Sequence, residues 1–587
     1  MISKNEFAVL YRVLKHPGLS QRDLADACDL SLGTVNASIK QLKCKGLLAE
    51  TLDVTDEGIE ALAPYKVDNA IIMAAGLSSR FAPISYERPK GVLKVRGEVL
   101  IERQIEQLRA AGIDDITIVV GYKKEEFFYL GDKYGIDVVV NPYYAQRNNN
   151  STLYLVRDRL KNTYICSSDD YFTENVFESH VYQAYYAAEF SEGPTAEYCM
   201  QTGAHGLITK VTVGGENAWY MIGHAYFDRG FSEKFVSVLE RVYDLSETED
   251  KLWEDIYLEH IDELPLTIRK YDNGIINEFD SLEELRLFDE EFIDNVDSKI
   301  LDNICRILKC ARKDVRDVTP IKKGLTNMSF KFSVDGESYV YRHPGPATAG
   351  IINRKSETFS QQVARELDID DTFIYENPDE GWKIARFIEG CVPFDYHNDE
   401  HVETAMRMAR FLHQSGNHAQ WEFNVYEKAL DIVAELERRD RISFRDFGEI
   451  ADSVARVYDF LVKDEVPSCL CHNDFYDPNF LVGPDRIRLI DWEYSGESDY
   501  ASDLGTFICC SDYTYEEAIE VLNRYFEGAM TEDQKKHCVG YICVSSFYWF
   551  VWAIYQDVLG NPVGEYLYLW YRYTKLYAQK ALELRQA

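Results

Sequence analysis

The sequence predicts a multidomain protein with an all-α N-terminal domain, an α/β middle domain and an α+β C-terminal domain. Its 587 residues exceed what a single hydrophobic core supports. Buried strand patterns alternate with helical patterns between residues 69 and 140, which is typical of a parallel sheet with crossover helices. Further on, a strand-rich stretch through Arg342 gives way after His401 to mostly helical sequence. We place the three domains at residues 1–65, 68–292 and 297–587.

The composition is that of an ordinary globular protein, with 46% apolar and 28% charged residues. The 63 basic and 99 acidic residues leave a net charge of −36, which disfavours a protein that coats nucleic acid. Thirteen cysteines without a C-x-x-C pair indicate reduced thiols. The N-terminus carries charges within its apolar stretch, unlike a signal peptide, and the apolar run Tyr541–Tyr555 is shorter than the roughly 20 residues that span a bilayer. We therefore expect a cytoplasmic protein without membrane insertion, with Tyr541–Tyr555 as a buried helix.

The first domain shows three short helical segments. We expect them at Asn5–Lys15, Ser20–Ala27 and Ser31–Lys45, with Ser20 and Ser31 as N-caps and a hairpin-like wing after Gly46. This order resembles a winged helix-turn-helix, which implies that the third helix would enter a DNA major groove. That helix offers only the lysines at positions 40, 43 and 45 in an acidic segment, so we expect at most weak DNA binding. A protein-interaction or dimerisation role is the alternative.

The second domain begins with an apolar strand, Asn69–Ala74, that runs into a loop of small residues. Such a loop lets backbone N–H groups approach a triphosphate, and nearby cations offset its charge. We therefore predict nucleotide binding by Ala74, Ala75, Gly76, Arg80 and Lys90, with Lys90 also neutralising charge during catalysis.

The segments MAAGLSSRF, ERPKGVL, NNNSTLYLV, SSDDYF and NEFDS together resemble nucleotidyltransferases of Rossmann-like fold, and most closely the CTP:phosphocholine cytidylyltransferases. The resemblance implies CTP and phosphocholine as substrates and Mg²⁺ held by Asp169 and Asp280, with Asp170 a weaker candidate. It also implies a choline-binding site at Tyr198 and Trp253, because a quaternary ammonium is recognised by aromatic faces. The sequence departs from the family at Ser78, where glycine is usual, and at Tyr198, where tryptophan is usual; core packing is the alternative for each aromatic.

The third domain contains a catalytic-loop pattern, His472 to Asn479, that fits H-x-D-x-x-x-x-N. The five-residue step from Asp474 to Asn479 puts a base and a metal ligand on one loop, and Asp491 supplies a second metal ligand from a neighbouring strand. We expect Asp474 to accept the proton of an alcohol and Asn479 and Asp491 to hold Mg²⁺.

This pattern resembles the choline kinase and aminoglycoside phosphotransferase superfamily, which has a protein-kinase-like fold. The resemblance implies ATP binding by Gly324, Asn327 and Arg342, with Glu357 as the helix partner of Arg342. It further implies a choline-binding wall at Tyr494, Trp549, Trp552 and Tyr568. Aminoglycoside kinases favour acidic pockets, so the tryptophans indicate choline; helix-spaced aromatics in a packed core are the alternative.

The two implied reactions are consecutive. ATP and choline yield phosphocholine, and CTP and phosphocholine yield CDP-choline and pyrophosphate. We expect a bifunctional enzyme whose partners are ATP, CTP, choline and phosphocholine, and the sequence leaves its oligomeric state open. The alternatives are the same reactions on ethanolamine or another amino alcohol, and a transcriptional regulator that senses choline metabolites.

Overall fold

A computed structural model of the chain describes residues 2–321, 327–345, 353–561 and 563–586, apart from the side chains of Ser79 and Asn327. The chain forms two compact units, Met1–Asn303 and Ile304–Ala587. The predicted first and second domains therefore share one compact unit, and each unit is described separately below.

The N-terminal segment folds as the expected helices α1 (Lys4–Lys15), α2 (Gln21–Cys28) and α3 (Leu32–Cys44). The side chains of Ser20 and Ser31 cap α2 and α3 by accepting backbone N–H bonds, which confirms both N-caps. The predicted wing is reduced to one antiparallel bridge between Leu48 and Val54. A fourth helix, α4 (Asp56–Leu62), takes up the rest of that stretch because Thr55 accepts an N–H bond at its first turn.

The middle of the chain alternates strands and helices. The strands are β1 (Asn69–Ala74), β2 (Lys94–Val95), β3 (Glu98–Val99), β4 (Ile116–Val120), β5 (Asp137–Val140), β6 (Thr163–Ser167), β7 (Asp170–Phe172), β8 (Tyr185–Thr202), β9 (Ile208–Phe227), β10 (Thr267–Lys270) and β11 (Ile276–Glu278). The helices are α5 (Ile84–Glu87), α6 (Leu100–Ala110), α7 (Tyr129–Tyr134), α8 (Asn150–Leu155), α9 (Arg229–Val242), α10 (Trp253–Glu259), α11 (Leu282–Phe288) and α12 (Phe292–Asn295).

Seven of these strands form one sheet in the order β10-β8-β9-β6-β1-β4-β5. The pairs of β1 with β4 and β6, and of β4 with β5, are parallel, as the apolar strand patterns predict. The sheet is nevertheless mixed, since β9 runs antiparallel to both β6 and β8. The long β8–β9 hairpin was not predicted, because much of it carries polar residues outside the core rather than a continuous apolar run. Strands β7 and β11 form a separate antiparallel pair.

The N-terminal helices pack against the middle domain through an aromatic contact. The rings of Phe7, Tyr65 and Tyr182 lie with centroids 5.0–5.5 Å apart. Beside them, Tyr11 donates a 2.7 Å hydrogen bond to Glu178, which Lys15 also contacts at 2.6 Å. Buried aromatic pairs of this kind stabilise a contact beyond the area they bury. The winged-helix segment is therefore a packed part of the first unit.

The second unit begins within α13 (Lys299–Leu308). Its smaller part contains β12 (Arg316–Ile321), β13 (Asn327–Val334), β14 (Glu337–Pro344), α14 (Arg354–Glu366), β15 (Phe373–Glu376) and β16 (Lys383–Arg386). Its larger part contains α15 (Asp399–His413), α16 (Val425–Arg438), α17 (Phe447–Lys463), β17 (Cys469–Cys471), β18 (Phe480–Val482), β19 (Ile487–Leu489), β20 (Gly496–Ser498), α18 (Tyr500–Cys509), α19 (Tyr515–Tyr525), α20 (Glu532–Val558) and α21 (Tyr566–Gln586).

The five strands β12 to β16 form one antiparallel sheet in the order β12-β13-β14-β16-β15. A small sheet followed by a mostly helical part is the predicted α+β layout. Helix α20 contains the expected aromatic run and is long and apolar enough to cross a membrane, but 83% of its apolar window is buried inside the protein. It is placed as the core helix of this unit.

Candidate active sites

The first candidate site lies at the carboxyl end of β1, where ligands collect in open α/β sheets. The loop after Ala74 continues through Ala75 and the exposed Gly76 to Ser78. Ser78 adopts a left-handed backbone conformation with φ of 47°. Glycine has no steric penalty in this conformation, which explains why glycine is usual at this position in the family that the sequence resembles.

A buried lysine faces this loop. Lys90 Nζ lies 2.7 Å from Asp169 Oδ2, and the lysine side chain is 6% exposed. Gly91 permits this contact, because a Cβ on Gly91 would lie 2.9 Å from the Ser168 side chain. Burial lowers the pKa of Lys90, but the Asp169 carboxylate outweighs burial and raises the pKa above its ordinary value. Lys90 is therefore a permanently charged cation in the site.

Three carboxylates gather beside Lys90. One oxygen each from Asp169, Asp170 and Glu278 lie within 4.8 Å of one another. Asp170 and Glu278 face each other directly across the β7–β11 pair, an arrangement of like charges that is unfavourable by itself. Both oxygens of Asp170 and Oδ1 of Asp169 are buried without a hydrogen-bond partner among the described residues. Burial, together with the charges of Glu278 and Asp169, raises the pKa of Asp170 well above its usual range.

This donor set fits a divalent cation, because hard cations take carboxylate oxygens and would remove the repulsion. The structure therefore brings Asp169 to a metal-type cluster with Asp170 and Glu278. Glu278 was missed in the sequence, although it stands two residues before Asp280 in NEFDS. Asp280 itself pairs with Arg80 at 2.9 Å, and both side chains are exposed.

The predicted choline-binding aromatics of this domain separate in the structure. Tyr198 is partly buried and donates a 3.0 Å hydrogen bond to Asp255. Trp253 lies in the core instead: it is 1% exposed and packs against Tyr186, Phe227 and Phe235. Its helical neighbour Glu254 points elsewhere, since successive residues on a helix differ by about 100°.

Glu254 is the unusual carboxylate of this region. It accepts hydrogen bonds from Tyr186 at 3.2 Å and Asn149 at 3.3 Å. Burial nevertheless raises the pKa of Glu254 to about 7. Tyr186 bonds Glu254 and Tyr198 bonds Asp255, and aromatic rings beside carboxylates are the chemistry that recognises an organic cation.

The second candidate site is the catalytic loop between β17 and β18. Asn479 Nδ2 donates 2.8 Å hydrogen bonds to the backbone oxygen and to Oδ2 of Asp474. Oδ1 of Asp474 is buried without a partner among the described residues. Burial and the nearby Asp491 carboxylate raise the pKa of Asp474 well above its usual range. The loop therefore presents one unsatisfied carboxylate oxygen that can take up a proton.

A buried aspartate on α18 fixes this loop. Asp503 accepts the backbone N–H bonds of His472 at 2.9 Å and Asn473 at 2.5 Å. It also contacts His413 at 3.0 Å. His472 in turn donates from Nε2 to the Ile490 carbonyl at 3.0 Å, next to Asp491. Asp503 was not predicted, because 30 residues separate it from the loop and no local pattern marks it.

Arg342 is the central cation of the second site. It is 6% exposed, and its guanidinium lies 2.5 Å from Glu357, 3.1 Å from Glu376 and 3.2 Å from Asp491. The structure thus pairs Arg342 with the expected helix residue Glu357. Burial raises the pKa of Glu357, but Arg342, Lys383 and Arg354 outweigh burial and hold it below its usual range. Glu376 is an unpredicted member; burial and the charge of Glu357 raise the pKa of Glu376.

Aromatic rings collect beside the catalytic loop. Trp549 lies 5.4 Å from Trp552 and 6.4 Å from Tyr494, measured between ring centroids. Tyr476 and Trp570 also contact it, at 6.1 and 5.7 Å. Three of the four predicted wall residues are therefore together, with Trp549 buried and with Trp552 and Tyr494 partly exposed.

Tyr568 lies apart from this group. Its side chain is 68% exposed, and none of the ring contacts in the described part of the chain joins it to the tryptophans. Tyr566 and Trp570 take that place on α21, with centroids 5.1 Å apart, because residues four apart share a helix face and Tyr568 lies between them on another. Two further predicted residues, Gly324 and the side chain of Asn327, lie outside the described residues.

Comparison with known proteins matches three family models. They are the MobA-like NTP transferase domain at residues 70–176, choline/ethanolamine kinase at residues 318–545 and winged helix-turn-helix DNA-binding at residues 2–48. The class of protein is thus a transferase with a nucleotidyltransferase domain, a kinase-like domain and a winged helix in one chain.

Similar proteins of known activity name more specific reactions than the family models do. A choline-phosphate cytidylyltransferase of Streptococcus pneumoniae is 35% identical over 38% of this chain and 96% of the relative. A 2-aminoethylphosphonate cytidylyltransferase of Lancefieldella rimae is 34% identical over 38% of this chain and 93% of the relative. Protein LicA of Haemophilus influenzae is 23% identical over 41% of this chain and 94% of the relative.

Solved structures are also similar. The S. pneumoniae CTP:phosphocholine cytidylyltransferase covers 38% of this chain and 97% of its own, at 35% identity and a TM-score of 0.37. Choline kinase LicA of S. pneumoniae covers 49% of this chain and 98% of its own, at 22% identity and a TM-score of 0.41.

The chain therefore belongs to the family of the choline-phosphate cytidylyltransferases, fused in one polypeptide to a choline-kinase-like domain. The predicted winged helix, nucleotidyltransferase and kinase-like folds are confirmed.

Glu254 gives a pH-dependent prediction for stability. Its carboxyl binds a proton more tightly when folded, at a pKa of about 7, than when unfolded, at its ordinary pKa of 4.5, so stability falls as pH rises through that interval. Glu254→Gln, which cannot ionise, should stabilise the first unit by about 2 kcal/mol at pH 8. At pH 5 most of this gain should vanish.

Calorimetric unfolding of the full chain at both pH values measures the effect. Glu247→Gln, an exposed position, is the matched control and should show no such difference. An equal gain for Glu254→Gln at both pH values would refute the raised pKa.

Proposed function

We propose that the chain is a bifunctional enzyme that phosphorylates choline with ATP and transfers CMP from CTP to phosphocholine, forming CDP-choline and pyrophosphate. The observation that carries the proposal is the presence of two separate acidic centres in one chain, one organised by Lys90 and one by Arg342. The product of the second centre is the substrate of the first. ATP, CTP and choline are cytoplasmic metabolites, so we place the protein in the cytoplasm.

Oδ1 of Asp474 has no hydrogen-bond partner among the described residues, while Asn479 donates a hydrogen bond to Oδ2. In the kinase reaction, Oδ1 accepts the proton of the choline hydroxyl. Arg342, fixed by Glu357, binds the phosphates of ATP. Asn479 turns its amide nitrogen toward Asp474, so its amide oxygen and Asp491 would be the ligands of Mg²⁺. Bound there, the ion would supply positive charge for the transferring phosphoryl group.

In the cytidylyl transfer, the phosphate of phosphocholine attacks the α-phosphate of CTP and pyrophosphate leaves. The nucleophile belongs to the substrate, so the protein supplies position and charge. The loop from Ala74 to Gly76 receives the triphosphate with Arg80 and Lys90. Asp169, Asp170 and Glu278 would hold Mg²⁺, which would supply positive charge for the reacting phosphate, and Asp280 orients Arg80.

Choline is favoured over other substrates by the aromatic cluster around Trp549, since a quaternary ammonium binds aromatic faces. Ethanolamine remains the second candidate, because the matching kinase family acts on choline or ethanolamine by its description. 2-Aminoethylphosphonate, the substrate named for one relative, carries no hydroxyl group to phosphorylate. That substrate would leave the kinase centre without a role.

A direct test incubates the full chain with choline, ATP, CTP and MgCl₂ and identifies products by mass spectrometry. We expect phosphocholine and CDP-choline. Ethanolamine and 2-aminoethylphosphonate in parallel reactions test the alternatives. Absence of both choline products would overturn the proposal: products from ethanolamine would then support the second candidate, and no product from any of the three would leave a metabolite-sensing regulator as the better account.

Weak DNA binding by the winged helix is a lesser part of the proposal. Of the three lysines near its third helix, Lys43 pairs with Glu50 and Lys45 with Glu6. These ion pairs reduce the charge available to phosphates. Any DNA affinity should therefore be low and should decrease steeply with salt.

Single substitutions should remove one of the two reactions and leave the other unchanged. Asp474→Asn removes the proton acceptor and should reduce phosphocholine formation by about 100-fold or more, with cytidylyl transfer from supplied phosphocholine unchanged. Asp169→Asn should do the reverse. Asp512→Asn and Asp272→Asn, both exposed, are the matched controls. Loss of both activities in either folded active-site variant would contradict two independent centres.

The carboxylate cluster predicts a metal requirement for the cytidylyl transfer. Glu278→Gln keeps the shape of the side chain but removes one charged ligand, so the Mg²⁺ concentration for half-maximal activity should rise about tenfold or more. Saturating Mg²⁺ should restore part of the rate. Glu216→Gln, on the exposed hairpin, is the control; an unchanged Mg²⁺ dependence for Glu278→Gln would exclude Glu278 as a ligand.

Trp552 tests the choline-binding cluster. Trp552→Ala removes an aromatic face worth about 2 kcal/mol in a desolvated site, so the choline KM should rise roughly thirtyfold with little change in the ATP KM. Trp552→Phe should retain much of the affinity, and Leu559→Ala, an exposed neighbour, should retain all of it. An equal loss for ethanolamine would argue against recognition of the quaternary ammonium.

A further inference from the structure

A second basic site lies in the first unit, away from the nucleotide loop. A cleft of about 580 Å³ opens between the N-terminal helices and the middle domain. On one side it is lined by Lys4 and Arg12 of α1, and on the other by Arg269 and Lys270 of β10. Its volume lies within the roughly 300–1,000 Å³ typical of small-molecule sites.

The charge of this cleft is opposite to that of the chain. Lys4, Arg12 and Arg269 give it three cations, whereas the Lys270 ammonium lies 4.5 Å from the Trp219 ring centroid, and Glu178 is the one carboxylate among the described residues that line the cleft. Glu178 is already engaged by Tyr11 at 2.7 Å, Lys15 at 2.6 Å and Arg12 at 3.6 Å. A basic cleft on a chain of net charge −36 concentrates anions that the remaining surface repels.

Arg269 is the cation of this cleft that most clearly indicates an anionic ligand. Its guanidinium lies 5.0 Å from the Tyr185 ring centroid and 5.5 Å from that of Tyr271, so two aromatic faces hold its plane. Its only hydrogen bond among the described residues is to Tyr185 Oη at 3.3 Å. Within the same part of the chain, Arg269 and Lys270 form no ion pair. The charge of Glu178 acts on Arg269 from beyond ion-pair distance, so an anion that enters the cleft would complete the contacts of a half-buried guanidinium.

The arrangement also explains the class of anion. An oriented guanidinium across from the flexible Lys4 ammonium matches the oxygens of a phosphate, which accept bidentate hydrogen bonds from arginine. Tyr182 and His180, which also line the cleft, offer ring surfaces next to the cations. The cleft is larger than inorganic phosphate alone requires.

We propose that this cleft binds a phosphate-bearing small molecule of nucleotide size, held between α1 and β10. Such a ligand touches both the winged-helix segment and the catalytic domain, so its binding stabilises their packed arrangement. The inference does not depend on the substrates assigned to the catalytic centres.

Hydrogen–deuterium exchange of the full chain tests the proposal, because it locates binding away from the active sites. The probes are pyrophosphate, CTP and CDP-choline, each added separately. At least one should slow exchange about fivefold or more in residues 4–15 and 267–270. Slowing by all three assigns recognition to the phosphates, and slowing by the cytidine compounds alone assigns it to phosphate together with a nucleoside.

Variants of the cleft make the test specific. Arg269→Gln should raise the probe concentration for half-maximal protection about tenfold, and Lys4→Gln, at an exposed position, should raise it severalfold. Lys210→Gln, an exposed lysine on β9, is the matched control and should leave protection unchanged. Protection of the nucleotide loop after Ala74 should persist in every variant.

Two results would overturn the proposal. One is the absence of protection in residues 4–15 and 267–270 with all three probes while the nucleotide loop is protected. The other is unchanged protection of those residues in both Arg269→Gln and Lys4→Gln, the second of which alters an exposed side chain and keeps the fold. Either result is independent of whether CDP-choline is made.

Discussion

Burial of a single cation among several carboxylates is the constraint on which both candidate centres depend. Lys90 approaches Asp169 in one centre, and Arg342 approaches Glu357, Glu376 and Asp491 in the other. A buried charge without a partner is costly, so neither the cation nor the acidic groups would be tolerated alone. Each cation therefore holds its acidic groups in place and keeps a positive charge at the site proposed for phosphates.

One cation does not neutralise or hydrogen-bond every carboxylate in its centre, so both centres keep acidic groups that lack a complete set of partners. Asp170 and Glu278 face each other across a strand pair, and one oxygen of Asp474 has no hydrogen-bond partner within the described part of the chain. Structures tolerate such groups at sites where a substrate or metal completes them. The surrounding scaffold supplies the stability: buried strands carry the first centre, and Asp503 with the long core helix α20 supports the second.

The packed position of the winged helix changes how that segment is understood. In sequence it resembled an attached module for binding DNA. In the structure its α1 contributes Phe7 and Tyr11 to a contact with Tyr182 and Glu178 of the catalytic domain. Two of its lysines are used in ion pairs with its own glutamates. The aromatic side chains of this segment therefore contact the middle domain, and two of its lysines are paired within the segment itself.

The sequence by itself determined the elements whose signals are local. Ser20 and Ser31 mark helix starts, the apolar runs mark the parallel strands, and the spacing from Asp474 to Asn479 marks a catalytic loop, because each depends on residues within one or two turns. Glu278, Asp503 and Glu376 reach their sites only through pairing of distant segments, so no local pattern identified them. Trp253 and Tyr568 show the same limit, because burial and helix phase decide which aromatic faces a ligand. Tertiary packing alone decided these positions, since it sets which side chains share a centre and which are covered.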